Sequence, residues 1–342
     1  MSITATEIVL PGAVEPEGLV TAHRELPDPR RGQALIRVEA TGVSFAEQQM
    51  RRGKYYDQPA FPFVPGYDLV GTVAAVGSAE DSALVGRRVA ALTKTGGWAS
   101  HVVLEAADLI EVPAELAPDA AETFVVNGIT AWQMLHRGAK VRAGQTILVH
   151  GANGGVGSTL VQLALAAGVR VIGTASARNA DQVSALGATP VDYRGDVVAQ
   201  VRALAPDGVD AVFDHVGGPG IVDSFSLLAP GGTLMAYGTA STKDDAGNSR
   251  LPVLRLFARL MLWNVLPNKR NAHFYNIWAG QRRATAFRRR LAQDLTAVFA
   301  LAVKGDLHAQ IAARFPLTQA AQALSLAESR TVTGKVVLVP AQ

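Results

Sequence analysis

Residues 146–178 constrain the fold of this chain more than any other stretch, because they read as strand, glycine turn, helix and strand within about 30 residues. The apolar run T-I-L-V-H (146–150) suits a strand buried on both faces, and it leads into G-A-N-G-G-V-G (151–157). Val156, Leu160, Leu163, Ala164 and Ala167 then recur at helical spacing, and R-V-I-G-T (170–174) is apolar again. In such a unit Gly154 lets the backbone approach a pyrophosphate, Gly157 lets helix and strand pack closely, and the helix N-terminus holds the phosphate charge. Ala152 stands at the first position of the usual glycine triplet, and Asn153, Gly155 and Val156 complete the turn. The expectation is a dinucleotide site.

The end of the second strand selects the dinucleotide. A site for NAD carries Asp or Glu there to bind the ribose 2′-hydroxyl. This chain has Gly173, Thr174, Ala175, Ser176, Ala177 and Arg178, with no carboxylate to repel a 2′-phosphate. Ser176 offers a hydroxyl and Arg178 a planar cation suited to phosphate, which points to NADPH, although a solvated loop would also carry such an arginine.

At 342 residues the chain has room for two domains, and 49% hydrophobic with 18% charged residues describes an ordinary globular protein. The absence of cysteine excludes disulfides, thiolate metal sites, iron–sulfur clusters and a thiol nucleophile. A cytoplasmic location is expected, since M-S-I-T-A-T-E-I-V-L has no basic start ahead of a long apolar core. The most lipid-like stretch, 251–267, holds Arg255 and Arg259 and is shorter than the roughly 20 residues that span a bilayer, so no membrane anchor is expected. Nucleic acid is not expected either. The arginines at 288–290 interleave with Phe287, Leu291, Leu295, Val298 and Phe299 at helical spacing, which puts the cations on a solvated face.

The first 120 residues consist of short β-rich runs at 34–40, 69–77, 87–92 and 99–104, separated by Gly and Pro, and predict a partly barrel-like β domain. Helical character begins at 113–123 and continues through N-G-I-T-A-W-Q-M-L-H. Strand candidates at 189–193, 210–214, 233–238 and 272–277 then alternate with helices, giving six strands of a doubly wound α/β sheet. A long basic helix, a second helix near 318–329 and a last strand at 335–339 close the chain. The expected domains are 1–124, 125–276 and 277–342, the last returning to the first.

That order of parts, with T-G-V-S-F-A (41–46), F-P-F-V-P-G-Y-D-L-V-G-T-V (61–73), I-T-A-W-Q-M-L (129–135), V-H-G-A-N-G-G-V-G (149–157), Gly187-Ala188 with Asp192-Tyr193, and G-K-V-V-L-V-P (334–340), resembles the medium-chain dehydrogenase/reductase superfamily. Within it the stretches look like the zinc-independent quinone oxidoreductase and enoyl reductase branch, over the whole chain. The resemblance implies a GroES-like N-terminal domain, a Rossmann domain, NADPH as cofactor and commonly a homodimer. Where the zinc enzymes carry a ligand Cys this chain has Ser44, and where they have G-H-E it has Gly66-Tyr67-Asp68, so no metal is expected.

Carried over residue by residue, the resemblance puts Ser176, Arg178 and Tyr193 around the 2′-phosphate. The family's lysine there falls at Ala180 or Arg178, depending on the gap. Thr130 matches the threonine that faces the nicotinamide, with Asn127 one turn before it; Ser44 replaces a family asparagine. Tyr237, Gly238, Phe274, Tyr275 and Asn276 match the strand ends that hold the carboxamide, although Tyr237 and Phe274 also suit plain core packing. Glu47, Gln49 and Arg51 match the mouth of the substrate cleft. Tyr55 matches the tyrosine of family reductases, either as a donor to the substrate oxygen or as a wall of the cleft. The implied reaction is hydride transfer to a quinone or activated C=C of an apolar small molecule. Ketone or aldehyde reduction and non-catalytic NADPH binding are the alternatives. The apolar stretch 247–267 is expected to form a helix over the cleft or against a second subunit.

Overall fold

The computed structural model describes residues 3–238, 250–329 and 331–341. Strands β1 (Ile3–Val9) and β2 (Val20–Leu26) are followed by β3 (Gln33–Val43), helix α1 (Phe45–Arg51), β4 (Asp68–Val76), β5 (Arg88–Leu92), β6 (His101–Glu105) and β7 (Ile110–Glu111). Helix α2 (Pro118–Trp132) runs unbroken across the expected domain boundary at 124–125, and a π-helical turn (Gln133–Gly138) ends it. Next come β8 (Thr146–Val149), α3 (Gly155–Ala166), β9 (Arg170–Ala175), α4 (Ala180–Ala185), β10 (Thr189–Asp192), α5 (Val197–Leu204), β11 (Val209–Asp214), α6 (Ile221–Ser226), β12 (Leu228–Ala236), α7 (Arg250–Val265) and β13 (Asn271–Phe274). The chain closes with α8 (Ala284–Lys304), β14 (Ile311–Pro316), α9 (Ala320–Glu328) and β15 (Lys335–Val339).

Two compact units result, one formed by residues up to Ile129 together with those from Gly280 onward, the other by Thr130–Ala279. In the second unit six parallel strands stand in the order β10-β9-β8-β11-β12-β13, so the chain starts in the middle of the sheet, runs to one edge, and returns to build the other half. All four residues of β8 are buried, as a strand covered on both faces requires. One face packs Leu148, Ile172, Val212 and Leu234 against Val201, Ile221, Phe225, Leu256 and Leu260 from the helices.

The first unit is built on a seven-stranded sheet, β14-β15-β3-β4-β5-β7, with β6 added to β3. The eleven-residue β3 shares one edge between two partners: residues Gln33–Arg37 pair with β6 and Thr41–Val43 with β15. This is the partly barrel-like domain the β-rich runs predict, completed by the C-terminal strand. The pair β1–β2, helix α1 and strand β14 go beyond the sequence reading.

Helix α7 confirms the helical expectation for 247–267 only in part. Residues 247–249, and the side chains of Leu251 and Val253, lie outside the described residues. Leu256 and Leu260 enter the core, whereas Leu254, Phe257, Met261, Leu262 and Val265 are exposed.

Candidate active site

The glycine turn is shaped by contacts no other residue would fit. Gly151 has a φ of +64°, and a Cβ on Gly157 would lie 2.1 Å from the Gly151 carbonyl oxygen, so helix and turn meet at backbone distance. Gly151 N donates to Thr174 Oγ1 (3.1 Å) and Ala152 N to the Thr174 carbonyl (3.0 Å), tying the turn to β9. Gly154 caps α3 in an extended conformation, and the first-turn N–H groups of Gly155, Val156 and Gly157 have no partners within the helix. Together with the helix dipole they form a cradle for an anion, flanked by the half-buried Asn153 and the buried Ala152.

At the end of β9, Ser176 is 5% exposed, and its Oγ has no hydrogen-bond partner. A buried hydroxyl left unsatisfied is costly, and a phosphate oxygen would satisfy it. Tyr193 N donates to the Ala175 carbonyl (3.1 Å), which brings the exposed Tyr193 beside Ser176. Arg178 is exposed on the short turn Ala177–Asn179. Arg194, not singled out in the sequence, lays its guanidinium 5.9 Å from the Tyr193 ring centroid. Ser176, Arg178, Tyr193 and Arg194 thus all follow the ends of the neighbouring strands β9 and β10.

Past the ends of β12 and β13, Tyr237 N donates to the Asp214 carbonyl (2.9 Å) and Tyr275 N to that of Ala236 (2.8 Å). A Cβ on Gly238 would come within 2.6 Å of the His215 carbonyl oxygen. Phe274 packs on Phe257 (4.9 Å between ring centroids), Tyr275 Oη donates to Gln133 Oε1 (3.0 Å), and Asn276 Oδ1 accepts from Trp278 N (2.9 Å). The side chains of Phe274, Tyr275 and Asn276 thus have partners within their own unit.

A hydrogen-bond chain that no sequence motif signals runs beneath the turn. Asp214 accepts from Val216 N, Gly217 N and Ser224 Oγ (2.7, 2.8 and 2.7 Å). With its proton on Asp214, Ser224 Oγ accepts from His150 Nε2 (3.0 Å), so His150 Nδ1 accepts from Thr174 Oγ1 (3.3 Å), which in turn accepts from Gly151 N. Burial holds His150 below its ordinary value, against the opposite pull of Asp214. Burial acts against the charge on Asp214, but His150, the Gly217 N–H and the Ser224 hydroxyl together hold the carboxyl below its ordinary value. The glycine turn after β8 is therefore anchored through Thr174 of β9 and His150 to Asp214 at the end of β11.

In the other unit, Ser44 caps α1, and Glu47 closes the capping box by accepting from Ser44 N (2.9 Å) and from the Ser44 hydroxyl. Glu47 Oε1 also accepts from Tyr67 N (2.7 Å), and burial pushes its carboxyl upward. Arg51 makes a two-pronged pair with Glu328 (2.9 and 2.8 Å) and reaches the Val14 carbonyl (2.6 Å). Glu47 and Arg51, expected at the cleft mouth, are both buried and bound to partners within their own unit. Gln49 is buried too, with Nε2 unpartnered. Asn127 and Thr130, each 6% exposed, sit three residues apart on α2. Lys335 Nζ bridges Asp68 (2.7 Å) and Glu122 (2.6 Å), and Asp68 Oδ2 also accepts from Val126 N (2.9 Å).

Tyr55 sits on the segment after α1, with its hydroxyl 2.9 Å from that of Tyr67. Burial, with the Tyr67 and Tyr56 phenols adding to it, raises Tyr55 well above its ordinary 10.0, so the hydroxyl keeps its proton at any physiological pH. Among the described residues no three His, Cys, Asp or Glu side chains converge as a metal set would.

Residues 30–114 match the model of the alcohol dehydrogenase GroES-like domain, and residues 186–338 that of the zinc-binding dehydrogenase family. The chain is similar to the synaptic vesicle membrane protein VAT-1 homolog of Danio rerio, at 32% identity over 91% of this chain and 65% of that protein, so it spans under two thirds of that relative. Among solved structures it resembles a mycobacterial protein complexed with NADPH, with 30% identity, a TM-score of 0.83 and coverage of 98% of this chain and 100% of the other. A Pseudomonas syringae quinone oxidoreductase gives 28% identity and a TM-score of 0.84 over 98% and 100% of the two chains. The chain belongs to the medium-chain dehydrogenase/reductase superfamily, in its zinc-independent quinone oxidoreductase branch.

Proposed function

We propose that this chain is an NADPH-dependent, zinc-independent reductase that delivers hydride to a quinone or an activated C=C of an apolar small molecule. The buried Ser176 hydroxyl beside Tyr193, unpartnered among the described residues, carries the reading, because the 2′-phosphate that distinguishes this cofactor would satisfy it. NADPH supplies the hydride when bound. Around it Ser176, Arg178 and Tyr193 hold the 2′-phosphate, the N-terminus of α3 holds the pyrophosphate, and Asn127 and Thr130 position the nicotinamide. As hydride adds to the substrate's β-carbon, negative charge grows on the carbonyl oxygen, and the Tyr55 hydroxyl donates to it. The exposed apolar residues of α7 support a homodimer.

Oxidation of NADPH followed against quinones, enones, enoyl thioesters and simple ketones tests this directly. Turnover of ketones alone would make the chain a carbonyl reductase, and tight NADPH binding without any turnover would make it a binding protein.

Arg178→Ala is expected to weaken NADPH about 10-fold and leave NADH unchanged, the lower end of what a charged hydrogen bond contributes because Arg178 is exposed. Fluorescence titration of both cofactors reads the difference; equal losses would assign Arg178 to the fold. Elemental analysis of chelator-treated, active protein is expected to find no stoichiometric zinc, since Ser44 caps a helix and Tyr67 presents a phenol where ligands would stand. Activity lost to the chelator and restored by zinc would refute this.

A further inference from the structure

We propose that Tyr67 is the positioning partner of Tyr55, donating its hydroxyl proton to the Tyr55 oxygen so that the Tyr55 proton is turned toward the substrate's carbonyl oxygen. This rests on the donor role of Tyr55 proposed above.

The two phenols differ in how firmly they are held. Tyr67 is 4% exposed, its N–H donates to Glu47 Oε1 (2.7 Å), and its carbonyl accepts from Thr93 N (2.8 Å) and Lys94 N (3.1 Å). Through Glu47 that backbone is locked to the capping box of α1. Tyr55 lies on an irregular segment where its N–H makes only a long contact to Gln58 Oε1 (3.4 Å). The rigid phenol therefore aims the looser one, with the rings edge to face at 83° and 6.4 Å between centroids.

The direction of the hydrogen bond follows from what each oxygen meets. A phenol has one proton to give, and at 2.9 Å one of the pair donates to the other. A carbonyl oxygen can only accept. When it arrives at Tyr55 the Tyr55 proton goes to it, and the vacated acceptor position on the Tyr55 oxygen is filled by the Tyr67 proton. Donation into the Tyr55 oxygen polarises its O–H bond, and the polarisation grows as charge develops on the substrate. No proton leaves the pair in this arrangement, in keeping with burial that disfavours a Tyr55 phenolate. The position that holds a metal ligand in the zinc enzymes serves here as the support of a neutral donor.

The test is a double-mutant cycle. Tyr67→Phe is expected to lower kcat on an enone about 3- to 10-fold, with KM and the dissociation constant of NADPH unchanged. In a Tyr55→Phe background the same substitution is expected to have no further effect, because the group it positions is gone. A Tyr67→Phe enzyme with full kcat, or losses that multiply in the double variant, would overturn the proposal. Circular dichroism and thermal melting check the fold; should Tyr67→Phe fail to fold, 3-fluorotyrosine at 67 keeps the shape, strengthens the donor and is expected to raise kcat, and no rise counts against the proposal. If Tyr55→Phe alone leaves turnover unchanged, the donor role of Tyr55 fails and this inference with it. If Tyr55→Phe is slow while Tyr67→Phe is not, only the pairing fails.

Discussion

A Tyr55→Phe enzyme is expected to turn over its best enone about 100- to 1000-fold more slowly, with kcat and kcat/KM falling together and NADPH affinity unchanged. The magnitude is that of one oxyanion donor lost from a dry, preorganised site, and the burial that raises Tyr55 provides such surroundings. Stopped-flow measurement of NADPH oxidation isolates the hydride step. Unchanged turnover would leave Tyr55 as a wall of the substrate site and catalysis to cofactor positioning alone.

Lys335→Met is expected to cost about 3–5 kcal/mol of stability, because it strips a buried carboxylate of its countercharge. Lys335, Asp68 and Glu122 are all at most 3% exposed, and the bridge is short on both sides. Burial would by itself lower the Lys335 ammonium, but Asp68 and Glu122 more than offset it and hold the group above its ordinary 10.5. Its stabilising effect is therefore fully present below pH 10.5 and lost as pH rises through the still higher folded value. Glu122 is displaced the other way in effect: burial raises its carboxyl well above 4.5, so it favours the folded state as pH falls. Without Lys335 that tendency strengthens, and the variant should recover part of its stability on acidification from neutral pH. Urea denaturation of both proteins at several pH values reads the difference; a loss that does not shrink on acidification would locate the cost in packing.

What the sequence disclosed follows from how local each signal is. β8, α3 and β9 were legible because their apolar periodicity and the Gly154–Gly157 spacing lie within one unit, and the six strands of the sheet were legible from the alternation of strand and helix. β2 was not, because among V-T-A-H-R-E-L only Leu26 is buried, leaving no alternating pattern to read. Arg51 looked available because its partner Glu328 lies 277 positions away. The same distance effect hid Asp214, Ser224 and His150, each ordinary in its own stretch, and the pairing of Tyr55 with Tyr67, which requires a loop to fold back on a strand entrance. Ser176 was found by residue type, but its orphaned hydroxyl is a property of packing alone.

The seat of β15 on β3 also sets an order of events during synthesis. The strands of the nucleotide sheet are all drawn from residues 146–274, so its pairings become available while the chain is still growing. The first-made β3 cannot complete its far half until residues 335–339 emerge, and the lysine that neutralises Asp68 arrives on that same strand. That half of β3 thus stays unpaired, and Asp68 without its lysine, while every strand of the nucleotide sheet is made, which makes that interval the one in which a nascent chain has most need of protection from aggregation.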